Sequence, residues 1–133
     1  MAIILDADLI IRGEKNTFDF HGWVASQPDE QFEIAAITVA ELWHGVERAV
    51  GAHRVKRQNF LNAILSKIPI IPYTEQTAYE HARIWAGLEA AGKMTGCYDV
   101  IVAATALERK SSVATFNKKH FSSIKGLTVI EPK

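Results

Sequence analysis

The chain has 133 residues, of which 48% are hydrophobic, so it is long enough to bury a core without disulfides or structural metals. Its 15 basic and 15 acidic residues give a formal net charge of zero, which excludes a protein that binds nucleic acid through positive charge spread over its whole surface. We therefore expect one globular domain that covers residues 1–133.

Five short apolar segments predict strands that are buried on both faces of a sheet, because they are rich in Val and Ile and show no clear alternation. In chain order these segments are residues 2–5, 33–37, 68–71, 112–116 and 127–130.

Between these segments, apolar side chains recur at spacings of three and four residues, which predicts helices. The predicted helices cover residues 39–50, about 52–67, 74–91 and about 98–109, with one or two short helices around residues 18–25. The helix at 98–109 is apolar nearly all round and should therefore be buried. Strands that alternate with helices predict an α/β fold, with a central, mainly parallel sheet of four to five short strands flanked by helices.

Several polar side chains fall where the predicted strands end. Asp6 closes the first strand, Glu41 lies in the first turn of the helix after the second strand, and Asp99 lies in the first turn of the buried helix. Thr115 and Asn117 close the fourth strand. Because the carboxyl ends of parallel strands share one edge of the sheet, where such folds bind ligands, we expect these residues to lie together.

Each acid also has an ordinary structural explanation. Thr38 and Glu41 have the spacing of a capping box, Asp99 would interact favourably with a helix dipole, and Asp6 would simply end a strand. A cluster is different, because two carboxylates about 4 Å apart repel by about 4 kcal/mol at an effective dielectric constant near 20. Such a cluster requires a cation, and oxygen ligands without His or Cys favour Mg²⁺ or Mn²⁺. The histidines, His120 included, show no spacing that suggests a shared metal site.

With these segments in this order, the chain resembles the PIN domain family, specifically the VapC-type toxin ribonucleases of type II toxin–antitoxin systems. The resemblance covers nearly the whole length. It rests on Ile4-Leu5-Asp6, on Thr38-Val39-Ala40-Glu41-Leu42 with Gly45, on Asp99-Val100-Ile101-Val102-Ala103-Ala104-Thr105-Ala106, and on Ala114-Thr115-Phe116-Asn117-Lys118-Lys119-His120-Phe121.

The resemblance implies an endoribonuclease that depends on Mg²⁺ or Mn²⁺, with catalytic residues Asp6, Glu41, Asp99 and Asn117. The fourth family position is commonly Asp, so Asn117 leaves the site one charge short. Asp8, where many relatives have Ser, Thr or Asn, is a candidate replacement. The expected metal ligands are therefore Asp6, Glu41, Asp99 and Asp8, and the number of metal ions stays open.

Further roles follow from the same resemblance. Thr38 and Thr115 would orient the carboxylates by hydrogen bonding. Lys118 and Lys119 stand next to Asn117 and would contact RNA.

The resemblance also implies partners: an RNA substrate, a cognate antitoxin that covers the active site, and a second copy of the chain in a homodimer.

Cys97 is the only cysteine and cannot form an internal disulfide, which suits a reducing cytoplasm. The longest nearly apolar stretch, residues 100–107, is far shorter than the roughly 20 residues of a membrane span, so we expect a cytoplasmic protein with no membrane partner.

Two other functions fit parts of the sequence. A PIN-like module that binds RNA or protein without efficient catalysis would explain Asn117. A phosphatase of the haloacid dehalogenase type would use Asp6 as nucleophile and Asp8 as acid and base, but it would leave Glu41 and Asp99 without a role. A housekeeping nuclease with the same chemistry stays open beside the toxin.

Overall fold

The computed structural model describes residues 2–133. Within this part of the chain lie five strands and seven helices. In chain order they are β1 (Ala2–Leu5), α1 (Ala7–Glu14), α2 (Phe20–Ala25), β2 (Gln31–Ala35), α3 (Ala36–Arg48), α4 (Gly51–Leu65), β3 (Ile70–Ile71), α5 (Glu75–Ala91), α6 (Cys97–Arg109), β4 (Ser112–Ala114), α7 (Lys118–Phe121) and β5 (Val129–Ile130).

The five strands form one sheet in the order β3-β2-β1-β4-β5, and every neighbouring pair is parallel. This confirms the predicted α/β class and the central parallel sheet. β1 lies in the middle, where Ile4 pairs with Val113 of β4 on one side and with Glu33 of β2 on the other. The carboxyl ends of β1, β2 and β4 are therefore adjacent.

Both faces of the sheet are covered. Successive residues of β1 point to opposite faces, so Ile3 and Leu5 pack with residues of α1 to α4 while Ile4 packs with α5, α6 and α7. Along α6, Val102, Ala103, Ala104 and Ala106 are fully buried, which confirms the helix predicted to be apolar all round. No helix among residues 2–133 combines the length and the apolar character that crossing a membrane requires.

The junction between β2 and α3 differs from the prediction. β2 ends at Ala35 and α3 begins at Ala36, whereas the apolar run predicted a strand through Ile37. A short apolar run does not distinguish a buried strand from the first turn of a buried helix. The N-cap is Ala35 and makes no side-chain hydrogen bond, so the capping box of Thr38 and Glu41 is wrong. Glu41 consequently lies in the second turn of α3.

The first connection also holds a helix that the apolar pattern missed. α1 begins directly after β1, and Asp6 is its N-cap, with Oδ1 accepting a hydrogen bond of 2.9 Å from the amide of Ala7. With only eight residues, α1 is too short for a clear helical repeat. Strands β3, β4 and β5 are shorter than the apolar segments predicted. Thr115 follows the end of β4, but its amide still donates a hydrogen bond to the carbonyl of Ile130.

Candidate active site at the carboxyl edge of the sheet

Asp6 and Asp8 meet the end of β4 through a set of hydrogen bonds. Thr115 Oγ1 donates to Asp6 Oδ2 at 2.8 Å. The Phe116 amide donates to Asp8 Oδ2 at 3.0 Å, and Asn117 Nδ2 donates to the same oxygen at 3.2 Å. The structure therefore brings Asp6 and Asp8 to Thr115 and Asn117, although the two pairs are separated by more than a hundred residues in the chain.

The two oxygens of Asp8 have different roles. Oδ2 accepts hydrogen bonds from Phe116 and Asn117, and Thr115 Oγ1 lies 3.4 Å from the same oxygen. Oδ1 is buried without a hydrogen-bond partner among the described residues. Because Asn117 directs its amide nitrogen to Asp8, its carbonyl oxygen is the atom available to a ligand. Thr115 Oγ1 also accepts from the Asn117 amide at 3.0 Å, which fixes this loop.

Glu41 faces the same group of acids from α3. Its Oε1 is buried and has no hydrogen-bond partner within residues 2–133. Burial raises its pKa from 4.5 to about 7, and the charges of Asp6, Asp99 and Asp8 add to that rise. Since such repulsion falls with distance, these three acids lie within electrostatic reach of Glu41.

Asp6 is affected in the same way. Burial is the largest cause that raises its pKa from 3.8 to about 6, followed by the charge of Asp8, while the hydrogen bond from Thr115 opposes the rise. The nearby charge of Asp99 raises the pKa of Asp6 further. Burial also raises the pKa of Asp8, although the Phe116 amide and the charge of Arg12 lower it.

Two acids elsewhere in the described part of the chain, Glu33 and Glu14, are balanced by arginines. Glu33 is only 6% exposed and accepts a hydrogen bond of 2.9 Å from Arg109 Nε. Arg57 Nε donates a hydrogen bond of 2.8 Å to Glu14 Oε1, and this ion pair joins α4 to α1. At the edge of the sheet, by contrast, Asp6 and Glu41 form no ion pair within the described part of the chain.

Asp99 reaches the edge from the first turn of α6 and contacts a residue to which the sequence assigned no role. His120 Nδ1 lies 3.0 Å from Asp99 Oδ2. His120 follows Asn117 by three residues, so one turn of α7 carries its imidazole from β4 towards α6. The spacing of three residues between Asn117 and His120 was the only sign in the sequence that His120 lies near the site. It indicates a contact with Asp99 only when the position of α6 is known.

The remaining predicted residues fall into two groups. Lys118 and Lys119 are exposed at the start of α7, next to Asn117. Thr38 is fully buried, but its Oγ1 makes no hydrogen bond within residues 2–133, so the expected bond to a carboxylate is not formed.

A cleft of about 240 Å³ opens beside Glu41, between α1, α3 and α4. Lys15, His44 and Arg48 line it, together with the Arg57 and Glu14 pair. Lys15 follows α1, His44 and Arg48 lie on α3, and Arg57 lies on α4, so no single segment of the sequence indicates this cleft. The cleft places positive charge next to the acidic edge.

The donor atoms at this edge fit a hard divalent cation. They are carboxylate and amide oxygens, and two of them, Asp8 Oδ1 and Glu41 Oε1, are buried without a hydrogen-bond partner among the described residues. Within residues 2–133, no three His, Cys, Asp or Glu side chains already surround a common point as metal ligands.

Comparison with known proteins places this geometry in context. A sequence model of the PIN domain matches residues 3–127. The chain is 31% identical over 131 residues to ribonuclease VapC1 of Rickettsia felis, which covers 98% of this chain and 96% of that protein. It superposes on VapBC2 of Rickettsia felis, solved bound to a DNA fragment from the promoter, with a TM-score of 0.91 at 22% identity over 98% of both chains. DNA-bound VapBC from Salmonella typhimurium gives a TM-score of 0.88 at 25% identity, again over 98% of both chains.

Proposed function

The chain belongs to the PIN domain family, and from this membership we propose that it is a VapC-type ribonuclease toxin that hydrolyses RNA phosphodiester bonds with Mg²⁺ or Mn²⁺. One observation supports the metal dependence above all. Asp6 and Glu41 lie within electrostatic reach of each other at the edge of the sheet, with pKa values raised to about 6 and about 7 and without a basic partner in the described chain. Such a charge cluster is suited to a divalent cation.

Four carboxylates and one amide would hold the cation: Asp6, Asp8, Glu41, Asp99 and the carbonyl oxygen of Asn117. When bound, the cation supplies Lewis acidity, which activates water and stabilises charge on the phosphate. The Glu41 carboxylate, whose pKa is raised to about 7, would accept the proton of the attacking water through the oxygen that does not hold the cation. Thr115 holds the Asp6 carboxylate in place for this chemistry.

RNA would approach between two sets of positive charges. Lys118 and Lys119 lie beside Asn117, and Lys15 and Arg48 line the cleft beside Glu41. Phosphate groups on both sides of the scissile bond would contact these cations, which offset the repulsion between the polyanion and the acidic edge.

The proposal includes partners. Structures similar to this chain contain VapB together with VapC, and we propose a cognate antitoxin that covers the site, in addition to a homodimer in the cytoplasm. A basic side chain of the antitoxin would complement the unpaired carboxylates electrostatically.

The haloacid dehalogenase alternative is wrong, because the chain is a PIN domain. The binding-module alternative is decided by the following experiment.

The purified chain should cleave single-stranded RNA when Mg²⁺ or Mn²⁺ is added and should stop when EDTA is added. Asp6→Asn and Asp99→Asn should each lower the cleavage rate by about 10³-fold, a loss typical of removing a group that acts directly in catalysis. Circular dichroism should show both variants folded. The matched control is Asp29→Asn, which makes the same chemical change at an exposed acid and should keep full activity. Equal cleavage by the wild type and both site variants would refute the proposal.

Asp8→Asn should weaken Mn²⁺ binding by about 10-fold in isothermal titration calorimetry. The substitution keeps a carbonyl oxygen that can accept from Phe116 and Asn117 but removes the charge, so it separates the role of the charge from that of the hydrogen bonds. Asn117→Ala, which removes one of these hydrogen bonds and an uncharged ligand oxygen but keeps the charge of Asp8, should have the smaller effect. Unchanged Mn²⁺ affinity and turnover in Asp8→Asn would show that Asp8 does not replace the fourth carboxylate.

A further inference from the structure

The contact between His120 and Asp99 joins two elements that the sequence gives no reason to pair. His120 Nδ1 lies 3.0 Å from Asp99 Oδ2, and the two side chains are 54% and 21% exposed. An ionised carboxylate only accepts hydrogen bonds, so the imidazole must carry a proton at Nδ1. The bond occupies one oxygen of Asp99. The other makes no hydrogen bond with any residue in the described range.

The backbone around His120 is fixed from three directions. Phe121, the next residue, is only 1% exposed and packs in the core beneath α6. The His120 amide donates to the Asn117 carbonyl at 2.9 Å, and its own carbonyl accepts from Thr95 Oγ1 at 3.0 Å. Thr95 lies in the segment that leads into α6. The imidazole is therefore presented to Asp99 by a rigid frame, although the ring itself is half exposed.

We infer that His120 is a positioning residue for the metal site: its Nδ1–H holds the Asp99 carboxylate in one orientation and leaves the second oxygen for the cation. The inference rests on the proposed function and extends it to a residue outside the carboxylate set. It agrees with the general behaviour of ligating carboxylates, which are oriented by hydrogen bonds whose loss costs about 10-fold to 100-fold in metal affinity or activity.

Because the contact with Asp99 is made by Nδ1 of His120, substitutions that keep or move the nitrogen donor test the role of this atom. The amide nitrogen of Asn occupies the same place along the side chain as Nδ1 of His, whereas that of Gln corresponds to Nε2. His120→Ala should weaken Mn²⁺ binding to the RNA-free protein by about 10-fold, measured by calorimetry. His120→Asn should recover most of that affinity, and His120→Gln should not. His21→Ala, which removes an exposed histidine on α2, is the control for non-specific imidazole binding and should match the wild type.

A double-mutant cycle identifies Asp99 as the residue through which His120 acts. In the Asp99→Ala background, His120→Ala should cause no further loss of Mn²⁺ affinity, because no side-chain oxygen remains at position 99 for the imidazole to hold. A full additional loss in the double variant would overturn the inference, as would Mn²⁺ affinity in His120→Ala equal to that of the wild type. Thermal denaturation of His120→Asn and His120→Gln, which keep a polar side chain on α7, separates an effect on folding from one on the metal.

Failure of the inference and failure of the proposed function give different results. Weaker Mn²⁺ binding in Asp99→Asn but not in His120→Ala refutes the role of His120 alone. Equal Mn²⁺ affinity in the wild type, Asp99→Asn and His120→Ala, combined with no RNA cleavage by the wild type, refutes the proposed function together with the inference.

Discussion

Glu41→Gln should reduce RNA cleavage by about 10³-fold and, at the same time, raise the melting temperature of the metal-free protein. The activity falls because a glutamine side chain neither accepts a proton nor carries charge for the cation. The stability rises because burial and the charges of Asp6, Asp99 and Asp8 all oppose ionisation of Glu41. Glutamine has the same shape and removes that charge.

The repulsion between carboxylates sets an upper limit on the increase in the melting temperature of Glu41→Gln. Two charges about 4 Å apart repel by about 4 kcal/mol at an effective dielectric constant near 20, and partial exposure of the site lowers this value. A gain of about 1 to 2 kcal/mol corresponds to about 4 to 7 °C for a chain of this length. Thermal denaturation at pH 8 in EDTA measures it, and cleavage of RNA with Mg²⁺ measures the activity.

Glu47→Gln is the matched control, because Glu47 lies on the same helix with a side chain that is 61% exposed and paired with Arg54. It should change neither property. A variant of Glu41 that loses stability, or that cleaves RNA at the wild-type rate, would contradict the role given to this residue.

Much of the fold could be predicted because hydrophobic periodicity follows directly from burial. The five apolar runs and the nearly all-apolar α6 come from a sheet that is covered on both faces. Apolar character does not distinguish the end of β2 from the start of α3, so Ile37 was placed in the wrong element. α1 is eight residues long and gives too little repeat for the period to be visible.

The site could be predicted in part for a related reason. Asp6, Thr115 and Asn117 could be placed at one edge because parallel strands end together. The contact of His120 with Asp99 depends on how α7 is oriented against α6, which a pattern along one segment does not encode. Thr38 is a similar case: its Oγ1 makes no hydrogen bond with any described residue, because its surroundings are set by the packing of α3 rather than by local sequence.

In the absence of metal, the protein should lose stability as the pH rises from about 5 to about 8, and Mg²⁺ should reverse much of that loss. The pKa values of Asp6 and Glu41 in the folded protein are about 6 and about 7, above their ordinary values of 3.8 and 4.5. Between the ordinary pKa values and the raised ones, the folded state therefore binds more protons than the unfolded state, so the free energy of unfolding falls with increasing pH. The stabilising contribution is complete below about pH 4 and is lost as the pH passes through 6 and 7.

Mg²⁺ should act in the opposite direction, because it binds the carboxylates only when they are ionised. At pH 8, Mg²⁺ at about 100 times its Kd should add about 2.7 kcal/mol to the free energy of unfolding, whereas the gain at pH 5 should be much smaller. Urea denaturation at both pH values, with EDTA or with Mg²⁺, measures the four free energies. Asp6→Asn combined with Glu41→Gln should flatten the metal-free pH dependence, while Asp29→Asn should leave it unchanged. Equal stabilisation by Mg²⁺ at pH 5 and pH 8 would show that these carboxylates do not bind the cation.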